Sequence, residues 1–381
     1  MEFPPQLNGA PTVAYQVIKT DNLRPEVRYI TAWPGAGFTN DMMLYTNLIY
    51  LGLITERVPI IPLFTPMHVA EGPSHGPTLD FGDVFDIPRL QRALRKPILE
   101  WRQVKDPQSK SVDPLGCWNL WEAVQNTNAG PHWTVMHERL KLDISYTTAP
   151  SWIKILPNDN GDPHAAFWAL ARLQSPKQRA MNLRTPARSP NGVSLPPDDH
   201  LLCFDNLYYV GAQSVYEFSA DYSPAWRFVG RHIHFTRRIQ EMADSYVRQA
   251  LGVTPHDPTP PYISVHVRHG DFKQHCQVRA ELLANKGIAV DKVIMTSDER
   301  NGTWWEAVAA QGWVRPDHAQ TVARHGLWYP ILIDAAIQAA GIGFVGTLDS
   351  TVSLLAAKRV ATWHNGSTRM VRWGKPGADD H

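Results

Sequence analysis

Ser264-Val-His-Val-Arg-His-Gly-Asp-Phe272 is the stretch on which the reading of this chain turns. With Tyr262 and Ile263 ahead of it, the run is rich in β-branched residues and predicts a strand over Tyr262–Arg268, stopped at Gly270. Side chains of a strand alternate faces, so His266 and Arg268 point the same way. Both lie at the strand's C-terminal end, where open α/β sheets bind ligands. An arginine there offers a planar fork suited to a diphosphate, and a histidine can hydrogen-bond a phosphate or a base. Gly270 lets backbone approach a ligand closely, or makes the turn. The plainer alternative is that Arg268 pairs with Asp271 and braces the loop.

Downstream, the pattern predicts a helix over Ala280–Lys286, a strand over Lys292–Thr296 and helices over Trp304–Gln311 and Trp328–Ala340. A strand over Gly343–Thr347, a helix over Thr351–Lys358 and a strand over Val360–Trp363 follow. Strands alternating with helices of this length indicate a parallel, Rossmann-like sheet. Two further strand ends carry polar groups. In Gly346-Thr-Leu-Asp349-Ser350-Thr351, hydroxyls and a helix N-terminus suit phosphate oxygens. Ordinary capping by Asp349 or Ser350 is the bland account. In Met295-Thr296-Ser297-Asp298-Glu299, Asp298 can accept hydrogen bonds from a base or ribose, or cap the turn.

Upstream, Val27–Trp33 predicts a strand that ends at the breaker cluster Pro34-Gly-Ala-Gly37. Thr39 or Asn40 can cap a helix running to about Glu56, with Met43, Tyr50, Leu51 and Ile54 near helical spacing. Val58–Leu63 follows as a short or edge strand, because it holds two prolines. This order opens a doubly wound domain. Its loop, Pro34-Gly-Ala-Gly37-Phe38-Thr39-Asn40-Asp41, matches part of a dinucleotide fingerprint, but Asn40 stands where the third glycine belongs. A nicotinamide-dinucleotide enzyme is correspondingly disfavoured.

Residues 71–80 and 155–200 are rich in loop formers, and Ser189–Pro197 is the segment expected to be mobile. Ala225–Gly252 reads as one helix with Phe228, Ile239, Met242 and Tyr246 on its buried side. The prolines of Pro255–Pro261 then mark a boundary between domains 1–254 and 255–381.

Composition narrows the classes. With 37 Lys plus Arg against 36 Asp plus Glu, no global field attracts nucleic acid or an acidic membrane, so any anion site is local. Cys117, Cys203 and Cys276 make an odd count without CxxC spacing, leaving room for at most one bridge and a thiol. No apolar run reaches the ~20 residues of a membrane-spanning helix. The first residues show no signal peptide, so the protein is either cytoplasmic or routed by a segment outside this sequence. Asn301-Gly-Thr and Asn365-Gly-Ser are possible glycosylation acceptors. No Asp-x-Asp clamp, phosphate-binding Walker loop or metalloprotease helix is present.

Taken together, these segments resemble the protein O-fucosyltransferases, especially the branch acting on thrombospondin-type repeats and its plant and fungal relatives. His266-Val-Arg268, followed by Asp271-Phe272, stands where that family has its His-x-Arg strand end. Ser350-Thr351-Val352-Ser353 stands for its Ser-Thr-Phe-Ser element, and Thr296-Ser-Asp298 loosely for a strand ending in Thr-Asp. Gly37-Phe38-Thr39-Asn40 is similar to its Gly-Phe-Asn loop, and Phe81–Pro88 to its Phe-Phe-Asp-Leu-Pro stretch. The resemblance spans residues 27–100 and 260–366. It departs at Ala36, where the thrombospondin-repeat branch carries a catalytic Glu, and at Val352, where the family has an aromatic.

The resemblance implies a GT-B-type α/β fold, two Rossmann-like domains facing a cleft, with domain 1–254 on the acceptor side and domain 255–381 binding the nucleotide-sugar. It implies metal-independent, inverting transfer of fucose from GDP-fucose to a glycoprotein or glycan hydroxyl, without a cofactor, by a monomer in the ER or Golgi lumen. Arg268 would neutralise the leaving phosphate, with His266, Asp349, Ser350 and Thr351 around the diphosphate and Asp298 at the nucleoside. Gly37, Phe38 and Asn40 would complete donor binding, and Asp41 is the candidate base. The competing expectation is a degenerate relative that binds GDP-sugar or glycan without turnover.

Overall fold

A computed structural model describes residues 3–11, 22–67, 69, 76–125, 130–159, 162–254, 257–268 and 290–371. The chain divides into two compact units, Met1–His234 and Phe235–His381.

In the N-terminal unit the strands are β1 (Tyr29–Ala32), β2 (Val58–Ile61), β3 (Leu99–Glu100), β4 (Asp113–Asn119), β5 (Leu142–Thr148), β6 (Ala165–Ala166), β7 (Leu201–Phe204) and β8 (Val210–Gly211). Six of them form one parallel sheet in the order β3-β2-β1-β7-β4-β5, and β6 pairs with β8 alone. Every residue of β1, β2 and β7 is buried, as expected of a parallel sheet covered on both faces. A disulfide joins Cys117 of β4 to Cys203 of β7 within this core.

In the C-terminal unit β9 (Ile263–Val267), β10 (Val293–Ser297), β11 (Gly343–Thr347) and β12 (Ser367–Val371) form a second parallel sheet, in the order β10-β9-β11-β12. Helices Arg237–Leu251, Gly302–Ala310, Tyr329–Ala340 and Thr351–His364 belong to it.

Several elements differ from their sequence reading. The first helix spans Phe38–Ile54 with Gly37 at its N-cap rather than Thr39 or Asn40, and Ile54 is exposed. β2 is short but interior, because the two-residue β3 covers its flank. Ala225–Gly252 is broken into Pro224–Phe228, a 3-10 turn at Gly230–His232 and the helix Arg237–Leu251. Ile239, Ala243 and Val247, one turn apart, bury its face, and the helix packs on Tyr329–Ala340. The division therefore falls ahead of this helix, not at the prolines after it, and Phe228 is exposed. Val360–Trp363 is the end of helix Thr351–His364, and Asn365 in the left-handed region stops it before β12.

Ser189–Pro197 is tied down rather than loose. Ser189 Oγ donates to Asp143 at 2.6 Å, and Leu195 N–H donates to Ser145 Oγ at 3.0 Å. The expected helix Ala280–Lys286, with Gly270, Asp271, Phe272 and Cys276, lies outside the described residues.

Candidate functional site

In an open parallel sheet the point where the strand order reverses leaves a crevice beyond the strands' C-terminal ends. In the C-terminal unit that point lies between β9 and β11: from β9 the chain goes first to β10 on one side, then to β11 on the other. The His-x-Arg end of β9 and the Thr347–Thr351 loop after β11 therefore emerge side by side.

The alternation of β9 puts His266 on one face of the sheet, beside its register partner on β11, Gly346. Gly346 has no side chain to fill that space, and Ser353, in the first turn of helix Thr351–His364, fills it instead. His266 Nδ1 lies 2.7 Å from Ser353 Oγ. Thr347 N–H donates to the same oxygen at 3.0 Å. The Thr347 hydroxyl accepts the Arg268 N–H at 3.1 Å and donates to the His266 carbonyl at 3.3 Å. Ser350 is the N-cap, its hydroxyl accepting from Ser353 N–H at 3.4 Å, while Asp349 turns the chain at φ 66° and is exposed. Thr351 and Val352 open the helix.

Burial dominates the electrostatics here. His266 is 8% exposed, and loss of hydration pushes its pKa down to about 4. Asp298, beyond β10, pulls the value up, and Arg268 lowers it further. The structure thus brings His266, Arg268, Asp298, Ser350 and Thr351 to one strand-end cluster within one unit. Arg268 is exposed at the end of β9, with its backbone held and its side chain at the surface.

The N-terminal loop is organised differently. Phe38 is 2% exposed and its ring lies 5.0 Å from that of Phe64 and 6.2 Å, stacked, from that of Phe85. Its ring is part of the core. Asp41 is likewise buried, at 1% exposure. One carboxylate oxygen accepts the Ala36 N–H at 3.1 Å; the other takes the Thr65 hydroxyl at 2.8 Å and its N–H at 3.3 Å. Desolvation raises its pKa to about 7 against those hydrogen bonds. In this arrangement the Asp41 carboxyl holds the loop between Ala36 and Thr65. Asn40 is half-buried, and its Oδ1 has no hydrogen-bond partner among the described residues. Gly37 caps the helix. Gly35 is required for another reason: a Cβ there would stand 2.1 Å from the Trp133 carbonyl.

Sequence reasoning included Ser353 and Thr347 in its quoted segments but gave neither a role of its own. Their signal was present: Ser353 follows the Ser350 cap by three, and Thr347 ends the strand. It missed Asp205 after β7, whose buried carboxylate gathers the N–H groups of Leu120, Trp121, His132 and Asn206.

No family model matches the sequence, and no curated protein does. Among solved structures, POFUT1 in complex with GDP-fucose superposes with a TM-score of 0.54 at 13% identity, over 90% of this chain and 98% of that one. POFUT1 in complex with GDP superposes with a TM-score of 0.55 at 12% identity, over 91% and 99%. NodZ alpha-1,6-fucosyltransferase soaked with GDP-fucose superposes more loosely, at 0.42 and 16% identity over 88% and 93%, and carries no part of the argument. The likeness to POFUT1 runs through both units and shows the fold: this chain is a GT-B-type α/β protein.

Proposed function

We propose that the protein is a GDP-fucose-dependent fucosyltransferase whose C-terminal unit holds the donor diphosphate. The observation that carries this reading is the switch-point cluster. A surface arginine, a buried histidine and a serine-capped helix N-terminus converge at two adjacent strand ends, in the fold of a protein crystallised with GDP-fucose. Such a cluster has the donors that phosphate oxygens need.

In the proposed step the acceptor hydroxyl oxygen bonds to the anomeric carbon as the bond from that carbon to the β-phosphate oxygen breaks. The electron pair leaves on the phosphate, the hydroxyl proton passes to water, and attack from the opposite face inverts the anomeric centre. Arg268 meets the charge developing on the leaving group, the usual largest contribution in such transfers. His266, Ser350, Thr351 and the exposed Asp349 surround the diphosphate, and Asp298 addresses the nucleoside. The proposed step uses no metal. A dissociative, oxocarbenium-like path needs no strong base.

The acceptor is a glycoprotein or glycan in the ER or Golgi lumen. The Cys117–Cys203 bridge supports that compartment, because disulfides persist in oxidising surroundings. Among the described residues no helix is long and apolar enough to cross a membrane.

A second reading is favoured by one specific pair of facts. Ala36 replaces the Glu of the resembled branch, and Asp41 is turned into the core. On that reading the protein binds GDP-sugar or glycan without turnover. Incubation with GDP-fucose and an acceptor panel, followed for GDP release, separates the two. Acceptor-dependent release supports the transferase, and saturable binding without release under every condition supports the binder.

A further inference from the structure

Ser353 is fully buried and its oxygen serves two neighbours. The Thr347 amide can only donate, so it occupies one lone pair of Ser353 Oγ. The serine's own hydrogen then needs an acceptor, and His266 Nδ1 stands 2.7 Å away. If Nδ1 carried the hydrogen instead, Ser353 Oγ would accept twice and its buried O–H would lose this partner, at a cost comparable to an unmade hydrogen bond.

We infer that Ser353 is a positioning residue: its hydroxyl holds His266 in the tautomer with hydrogen on Nε2, so that His266 meets a diphosphate oxygen as a neutral donor. This rests on the donor site proposed above and deepens it. The two members of the His-x-Arg pair then differ in kind. Arg268 supplies the positive charge, and His266 supplies an oriented hydrogen bond that does not change with pH across the neutral range.

The groups around His266 agree. Burial disfavours the imidazolium, and among the described residues the charged side chains acting on it are Asp298 beyond β10 and Arg268 just past β9. From β11 and helix Thr351–His364 it meets Gly346, Thr347 and Ser353, none of them ionisable. A second tie keeps the serine in place, since its N–H reaches the Ser350 hydroxyl.

The test uses the full chain with 15N-labelled histidine and long-range proton–nitrogen correlation at neutral pH, the His266 signals being assigned by their loss in His266→Gln. The expected pattern is protonation at Nε2 alone. A pattern with hydrogen on Nδ1, or on both nitrogens, overturns the inference. In Ser353→Ala the tautomer should become mixed, and affinity for GDP-fucose without acceptor should fall about tenfold. His266→Gln, which can still place an N–H at the outer position, should lose less affinity than the shorter His266→Asn, which should lose about tenfold. An unchanged tautomer and unchanged affinity in Ser353→Ala would also overturn it. Absence of any GDP-fucose binding in the parent sinks the donor reading instead, and the tautomer of the free protein still decides the role of Ser353.

Discussion

Gly346 and Ser353 share one space: a Cβ on Gly346 would stand 2.6 Å from Ser353 Cβ and 2.7 Å from its Oγ. The Phe344 ring stands as near, at 2.5 Å, and real Cβ atoms do not approach so closely, so Gly346→Ala must displace the packing that holds Ser353 against His266. The expected result is a loss of about 1–3 kcal/mol in stability, together with weaker GDP-fucose binding. Chemical denaturation and a binding titration check both. Retention of parent affinity would show that the Ser353–His266 contact does not shape the donor site.

Arg268 is exposed, and its backbone N–H ties β9 to Thr347. Arg268→Ala should therefore reduce GDP release more than 100-fold, at the scale of losing a transition-state charge partner, while Tm moves by no more than about 2 °C. Arg268→Lys should recover little, because an ammonium lacks the planar fork. Full activity in Arg268→Ala would remove the residue from the site.

Asp41 makes a case in which burial and catalysis give opposite expectations. Unfolded, its carboxyl releases a proton near the ordinary value of 3.8; folded, it keeps the proton until about pH 7. Between those values the folded state binds more protons, so this group's contribution to stability declines as pH rises through the window. Asp41→Asn should abolish that decline, visible as a pH-dependent difference between variant and parent unfolding curves. Its activity should remain within about threefold, whereas removal of a true base costs roughly 100-fold or more. A loss of that size with an unchanged Tm would make Asp41 the base.

The contrast between Asp41 and His266 marks how far the sequence could be read. The alternation at His266 and Arg268 reports a strand end, and backbone geometry alone then places it at the switch point. The Gly-Phe-Thr-Asn loop reports a strand-to-helix turn, but not which side chains point inward; only packing against Phe64 and Phe85 settles Phe38. The middle of the chain was illegible for a physical reason. β4 contains Pro114 and Gly116, which read as loop, yet Gly116 is glycine because the Pro196 carbonyl would lie 1.8 Å from its Cβ. That close crossing joins residues far apart in sequence, and no local pattern encodes it. Val360–Trp363 misleads in the opposite way: its β-branched and aromatic residues suit a strand, but Leu355, Ala356 and Val360 form the buried face of a helix.

The Cys117–Cys203 bridge closes a separation of 86 residues between two central strands. Chain-entropy arguments give about 4.6 kcal/mol for a loop of that size. Replacing both cysteines with alanine should lower the denaturation midpoint accordingly, and a reductant should shift the parent toward the double variant. An unchanged midpoint, or three titratable thiols in the unfolded non-reduced protein, would contradict the bridge and weaken the case for an oxidising compartment.

The central claim is that the β9–β11 switch point is a guanine-nucleotide-sugar site, and thermal unfolding in the presence of candidate ligands tests it most directly. GDP and GDP-fucose, at concentrations near 100 times their Kd, should each raise Tm by about 3 °C or more. UDP and NAD should leave it unchanged, and Arg268→Ala should abolish the GDP shift. A shift with NAD and none with GDP or GDP-fucose would contradict the account.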